Sequence, residues 1–155
     1  MNGEVCDCRD YLTTLITIRT GPRPGALGNA TMDQYSSMRA DASGKYKVML
    51  VSRHKQGVSG PAPLPLNAEL QQLLTTYVNH IRPQQLGDAS LEYLFLTEGK
   101  EFSDKNISRR LPEFWKKSNV RPDLRVTATK IRKWIVMVAH QREVDVYYLT
   151  LHPTV

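Results

Sequence analysis

The chain has 155 residues, with 21 lysines and arginines against 15 aspartates and glutamates and a formal net charge of +6. A chain of this length suits one domain that buries roughly two thirds of its unfolded surface and needs no disulfide or metal to fold. A hydrophobic content of 41% excludes a disordered chain. The longest apolar run, residues 134–139, is too short to span a bilayer.

The N-terminal residues and the cysteines indicate an intracellular protein that is not secreted. The first ten residues include four charged side chains and lack the apolar core of a signal peptide. Cys6 and Cys8 are too close to bridge and too few for a zinc site. We therefore expect residues 1–8 to form a tail and residues 9–155 to form the domain, with no metal, cofactor, membrane or small-molecule substrate as a partner.

The positive charge is confined to two blocks. Residues 45–60 contain four basic residues and no acidic one, and residues 100–133 contain eleven basic and four acidic residues. The rest of the chain is net acidic. Two confined basic blocks indicate a surface that meets an anion, whereas a charge that serves solubility would be spread over the surface.

In chain order, the pattern first predicts a helix. Residues 9–18 carry apolar side chains at helical spacing, and GPRPG at 21–25 breaks the chain, so a loop or a short helix begins near residues 26–27. Residues 30–35 are predicted as a strand. Residues 45–66 form a predicted hairpin, and its second strand contains three prolines, which cannot donate to a ladder and place that strand at the sheet edge.

The next predicted helix begins after Asn67, a good N-cap, and its apolar stripe continues to Ile81. Pro83 is expected to end this helix, because proline has no backbone N–H and its ring crowds the preceding turn. Residues 91–96 are predicted as a short buried strand or an extended segment.

Two further helices are predicted from their caps. Ser103 caps one that runs through Arg110, with Pro112 ending or kinking it, and Thr127 caps the last long helix. The core stripe of that last helix contains Ile131, Trp134, Ile135 and Val138. The expected fold class is α+β, mainly helical, with a small three-stranded antiparallel sheet.

Arg23 is the first candidate functional residue. The prolines on each side stiffen the backbone and fix the direction of the guanidinium, which suits a bidentate phosphate ligand. The alternative is a solvated arginine in a turn.

The hairpin tip at 53–57 is the second candidate, since it contains Arg53, His54 and Lys55. A hairpin tip can enter a nucleic-acid groove, and a lysine there can reach a phosphate or a leaving oxygen. The alternative is a charged hairpin end that prevents edge-to-edge aggregation.

The segment TKIRK at 129–133 is the third candidate. Arg132 lies at the edge of an apolar stripe, with Thr129 one turn earlier, and a partly buried arginine needs an anionic partner. That partner is either a structural carboxylate or a ligand phosphate, and the sequence leaves both open. His152 is the fourth candidate, although a histidine near a chain end is usually without function.

Taken in order, these motifs resemble the catalytic domain of tyrosine recombinases, the phage-integrase superfamily, and are most similar to Crypton-like recombinase-derived proteins of animals. The resemblance covers about residues 9–155. The first family box is matched by Gly21, Arg23 and Leu27, with Ala26 in place of the usual acid. Lys55 matches the hairpin lysine, Thr129 and Arg132 match the second box with threonine in place of histidine, and His152 matches the third-box histidine.

The resemblance implies a role for each of these residues in attack by a tyrosine on a DNA phosphodiester. It makes Arg23 and Arg132 the phosphate clamps, Lys55 the general acid, Thr129 a weakened base position and His152 a further phosphate donor. The family's nucleophilic tyrosine would follow His152, where the given chain ends, so the catalytic domain is expected to be incomplete and unable to cleave DNA alone. The remaining DNA contacts are expected from Arg53, His54, Arg109, Arg110, Lys130 and Lys133.

The resemblance therefore predicts a DNA-binding, recombinase-like protein of the nucleus, related to DNA integration and recombination. Its expected partner is double-stranded DNA, and a homo-oligomer on DNA is left open. Two alternatives also stay open: an active recombinase whose tyrosine comes from a missing tail or a partner, and a basic domain that binds an acidic protein and has no DNA function.

Overall fold

The computed structural model describes residues 3–52, 60–86 and 92–151, and for residues 142–151 it describes the backbone alone. Over these residues the chain is mainly helical, with a three-stranded and a two-stranded antiparallel sheet. The predicted combination of a mainly helical fold with a small three-stranded antiparallel sheet is confirmed. In this described part, no helix has an apolar stretch long enough to cross a membrane.

Helix α1 spans Gly3–Thr20 and begins well before the predicted residue 9. Residues 3–8 are its first turns, so the expected N-terminal tail is wrong over this range. Glu4 in the first turn complements the positive end of the helix dipole, and Val5 is buried. The short helix expected after the GPRPG break is α2, Pro24–Gly28, with proline at its first position.

The predicted strand at residues 30–35 is wrong, because this stretch enters helix α3, Met32–Ser36. Thr31 and Gln34 form a capping box: the Thr31 side chain accepts from the Gln34 N–H, and the Gln34 side chain accepts from the Thr31 N–H. These two bonds satisfy helix donors that would otherwise have no partner. The third strand of the sheet is instead β1, Arg39–Ala40.

The predicted hairpin consists of β2, Lys47–Val51, and β3, Ala62–Leu66. The strand order is β1-β2-β3, so the proline-containing strand is at an edge, as predicted. Leu64 lies opposite Met49, and both side chains are buried. The predicted hairpin tip lies in residues 53–59, outside the described residues.

The predicted cap of the next helix is confirmed, since the Asn67 side chain accepts from the Leu70 N–H at 2.9 Å. Helix α4 spans Ala68–Thr76, continues through a π-helical turn at Tyr77–Ile81 and then becomes α5, Arg82–Leu86. The prediction that Pro83 ends the helix is therefore wrong. A helix that continues past proline needs a local change of winding, and the π-helical turn directly before Pro83 provides it.

Strands β4, Leu96–Thr97, and β5, Lys100–Glu101, form the two-stranded sheet. Helix α6, Asp104–Ser118, follows its predicted cap, since Ser103 accepts from the Asn106 N–H. It continues through Pro112, so of the two predicted effects, an end or a kink, the end is excluded; burial of Ile107 and Leu111, both before Pro112, holds the helix in place.

Helix α7 spans Ala128–Leu151 and begins at the predicted cap, because the Lys130 N–H donates to the Thr127 hydroxyl at 3.2 Å. Its first turns belong to a small core that is separate from the main one between α1, the sheet and α4. The small core consists of Leu111, Val126, Ala128 and Ile131. It attaches the start of α7 to α6, and thereby fixes the position of the candidate residues on α7.

Candidate anion-binding site

The loop between α1 and α2 holds Arg23 in a defined position. Gly21 ends α1 with a positive φ of 63°, and its N–H donates to the Thr17 carbonyl at 2.9 Å. Arg23 is the N-cap of α2, with extended backbone and no capping bond from its side chain. Its side chain is partly buried and has no hydrogen-bond or ion-pair partner among the described residues.

This loop packs directly against α7. A Cβ atom placed on Gly21 would lie 2.7 Å from Cδ1 of Ile135, so only glycine fits this contact without a shift. Ile135 follows Arg132 by three residues, which places the two side chains one turn apart on neighbouring parts of the helix surface. The structure thus brings the loop that carries Arg23 against the helix that carries Arg132, although 109 positions separate them in the sequence.

Arg132 is also partly buried, and no carboxylate of the described residues pairs with it. The interpretation of Arg132 as the partner of a structural carboxylate therefore finds no support in this part of the chain. A cation that has lost part of its hydration without gaining a counter-ion is stabilised by binding an anion. Two such guanidiniums on contacting elements form a candidate anion site.

The first turns of α7 add further positive potential. Lys130 and Lys133 are exposed, and no acidic residue in the first turn offsets the positive end of the helix dipole. The Lys130 ammonium donates to the Arg125 carbonyl at 3.0 Å, which holds its charge beside the start of the helix. Thr129, the predicted base position, is exposed on the same turn. Four of the predicted site residues thus lie within five positions at the start of α7.

The two adjacent arginines of α6 differ in their surroundings. Arg109 is exposed and has no partner in the described part of the chain. Arg110 donates to Oδ2 of the buried Asp10 from Nε at 2.9 Å and from Nη2 at 2.6 Å, and it also reaches Glu113. Burial lowers the pKa of Arg110, but the hydrogen bond and charge of Asp10 outweigh this effect and raise it above its usual value. Arg110 is thus bound by carboxylates of the protein itself, whereas the sequence predicted it as a DNA contact.

The sequence analysis did not identify Arg9, a second arginine that binds Asp10. Arg9 is buried, donates to Oδ1 of Asp10 at 2.8 and 3.0 Å, and lies with its guanidinium 3.8 Å from the centre of the Phe102 ring. A signal was present, since Arg9 precedes Leu12 and Ile16 by three and seven residues and so shares their stripe. The buried Asp10 carboxylate therefore binds two arginines, Arg9 of its own helix and Arg110 of α6, and it is Arg110 that joins α1 to α6.

The remaining predicted residues lie outside the described residues. They are Arg53, His54 and Lys55 of the hairpin tip, together with His152. Among the side chains that are described, no group of three or more His, Cys, Asp or Glu is placed to hold a metal ion.

Comparisons of the chain with protein-family models, with curated proteins and with solved structures find no match.

Proposed function

We propose that the chain is a DNA-binding domain related to tyrosine recombinases, and that Arg23 and Arg132 hold a backbone phosphate between α7 and the loop before α2. The observation that carries this proposal is the pair of partly buried guanidiniums, on contacting elements, without a carboxylate partner among the described residues. Lys130, Lys133 and Arg109 extend the positive surface on either side for neighbouring phosphates.

The chemistry of the two arginines suits a phosphodiester. A guanidinium presents its N–H groups as a planar fork, which matches two oxygens of a phosphate, whereas an ammonium acts as a point charge. In the recombinase reaction, the same two forks would stabilise the charge that develops on the non-bridging oxygens. We propose this phosphate-binding role for the given chain.

Binding of duplex DNA as a function of salt tests the proposal. The logarithm of the binding constant should fall linearly with the logarithm of salt concentration, because each phosphate contact releases counter-ions. Arg23→Ala and Arg132→Ala should each weaken binding and lower the slope by about 1. Fluorescence anisotropy with a labelled 20-base-pair duplex at several salt concentrations measures both quantities.

Arg39→Ala is the matched control. It removes one positive charge from an exposed residue of strand β1, outside both basic blocks, and so produces the same change in net charge. The proposal expects little effect from it. Binding that is independent of salt, or equal losses for Arg39→Ala and Arg132→Ala, would contradict a defined phosphate site.

A further inference from the structure

The apolar stripe of α7 is largely uncovered beyond its first turn. The sequence predicts a core stripe, but of its four residues Ile131 alone is buried. Trp134 is 41% exposed and Val138 is 52% exposed. A row of exposed large apolar side chains on one helix is typical of a surface that binds another molecule.

This stripe lines a groove between α7 and the ends of α1 and α6. The groove has a volume of about 690 Å³. The apolar side chains that line it include Ile18, Trp115, Val126, Trp134, Ile135 and Val138. An apolar groove between helices accepts side chains from one face of an amphipathic helix, spaced three and four residues apart.

The charge around the groove indicates what kind of helix it accepts. Residues 115–140 contain seven basic residues and one acidic residue, and that acid, Asp123, is paired with Arg121. On α7, Lys130 and Arg132 are the neighbours of Ile131 in the sequence, so they lie about 100° to either side of the stripe. Arg19, which lines the groove, is paired with Glu69, so the unpaired positive charge near the groove comes from α7. An apolar floor beside this positive charge is complementary to a helix with an apolar face and acidic flanks.

The same charge disfavours the two other occupants. A second copy of this chain would bring two basic surfaces together, and like charges in contact oppose association. Duplex DNA satisfies the basic edges, but its phosphate backbone offers no apolar side chains to fill the floor.

We propose that the groove between α1, α6 and α7 binds an amphipathic helix of a partner protein, with acidic residues on the flanks of its apolar face. The apolar side chains of the partner enter beside Trp134 and Val138, and its carboxylates face Lys130 and Arg132. The apolar floor is separate from the proposed phosphate site, but Arg132 belongs to both the basic edge and that site, so an acidic partner and DNA should compete for it.

The two tryptophans of the chain, Trp115 and Trp134, both line the groove, so intrinsic fluorescence reports on its occupancy. The probes are two synthetic 18-residue helical peptides with the same leucine and phenylalanine face, one with glutamate and one with lysine at the other positions. The glutamate peptide should give a saturable blue shift. Its affinity should exceed that of the lysine peptide by about tenfold or more at low salt.

Val138→Glu places a carboxylate in the groove and should weaken binding of the glutamate peptide at least about tenfold. Leu50→Glu is the matched control, because Leu50 is also an exposed apolar residue (54% exposed) but lies on strand β2, outside the groove. The Leu50→Glu variant should bind the glutamate peptide with wild-type affinity. Ile18→Glu, at a residue that is 37% exposed, repeats the test on α1 should Val138→Glu fail to fold.

Several results would overturn the proposal. Absence of a blue shift with both peptides, equal affinities for the two, or unchanged binding by Val138→Glu would show that the groove is not such a site. A blue shift that grows with protein concentration alone, together with a dimer mass in light scattering, would assign the groove to a second copy. A duplex that produces the same shift, abolished by Val138→Glu, would assign it to nucleic acid.

Discussion

Arg110→Ala and Arg109→Ala should separate structural from DNA-binding arginines at adjacent positions of α6. Arg110 joins α6 to α1 through two short hydrogen bonds to Asp10, whereas Arg109 is exposed and makes no such bond in the described part of the chain. We expect Arg110→Ala to lower the stability of the fold and Arg109→Ala to lower the affinity for DNA. Both variants remove the same charge from the same block, so net charge cannot account for a difference between them.

The size of the stability effect follows from the environment of Asp10. Breaking a buried ion pair by removing one partner costs about 3–5 kcal/mol. The loss here should be smaller, because Arg9 remains bonded to Asp10 and Arg110 is 32% exposed, so water can replace it. We expect about 2–3 kcal/mol in the free energy of unfolding, which lowers the Tm by roughly 4–12 °C for a domain of this size. Arg109→Ala should stay within about 0.5 kcal/mol of the wild type.

Urea denaturation followed by circular dichroism measures the first effect, and anisotropy titration of labelled duplex measures the second. Asp10→Asn should exceed Arg110→Ala in its cost, since it leaves two guanidiniums beside a neutral amide. The reasoning is refuted if Arg110→Ala unfolds at the wild-type urea concentration and weakens DNA binding as much as Arg109→Ala does. In that case the bonds to Asp10 contribute nothing measurable, and Arg110 belongs to the DNA surface.

Three further predictions concern the loop at Gly21, the buried Tyr77 and the cap at Asn67. Gly21→Ala should cost more than Gly44→Ala in urea denaturation, by up to about 1 kcal/mol, because both glycines have positive φ but only the new Cβ at position 21 meets the terminal methyl of Ile135, which must move aside. Burial raises the pKa of Tyr77 to about 12. Because of this raised pKa, Tyr77 stays protonated to a higher pH in the folded state than in the unfolded state. The associated stability, about 3 kcal/mol, is therefore present below pH 10 and is lost as pH rises from 10 towards 12. Tyr77→Phe should make the free energy of unfolding less dependent on pH between pH 10 and 12. The same pH dependence in the variant and the wild type would contradict the raised pKa of Tyr77. Asn67→Ala should cost about 1 kcal/mol, measured in the same urea assay, since it removes the bond to the Leu70 N–H.

The starts of three helices were predictable because each depends on a bond between residues three positions apart. Asn67, Ser103 and Thr127 all accept an N–H from the first turn of the helix that follows them. The same rule applies to Thr31 and Gln34, but the helix that they begin is only five residues long, which is too short to show helical periodicity. Local signals thus identified where helices begin better than how far they extend.

Two prolines lie inside helices, because packing between distant residues outweighs the local rule against proline there. Pro83 and Pro112 each disfavour continuation of a helix, yet α5 and α6 continue through them. Leu111 beside Pro112 belongs to the small core with Ile131, and burial of this kind offsets the cost of a missing backbone bond. The sequence did contain a signal, since Ile107, Leu111 and Trp115 are spaced by four residues and form an apolar stripe that continues past Pro112.

The candidate site shows the same division between local and distant information. Arg23 and Arg132 were both singled out from their local patterns, but the contact between the elements that carry them, Gly21 against Ile135, is contained in neither pattern. The ion pair between Asp10 and Arg110 spans 100 positions, and nothing in the block at 100–133 distinguishes Arg110 from Arg109. A charge count identifies a basic region, whereas the contacts decide which cations are available to a ligand.

The contacts within residues 100–133, the second basic block, distinguish the cations that are available to bind DNA from those that are already bonded within the protein. Of its cations in the described residues, Arg110, Lys117 and Arg121 are paired with carboxylates, and Lys130 donates to a carbonyl. The others make no such bond there, and they are Lys100, Lys105, Arg109, Lys116, Arg125, Arg132 and Lys133. Arg132 alone among these seven is partly buried. Since an ion pair strengthens as water is excluded around it, Arg132→Ala should weaken DNA binding more than alanine at any of the other six. Equal losses across all seven in the anisotropy titration would show instead that the block acts as a diffuse positive field, without a defined phosphate site.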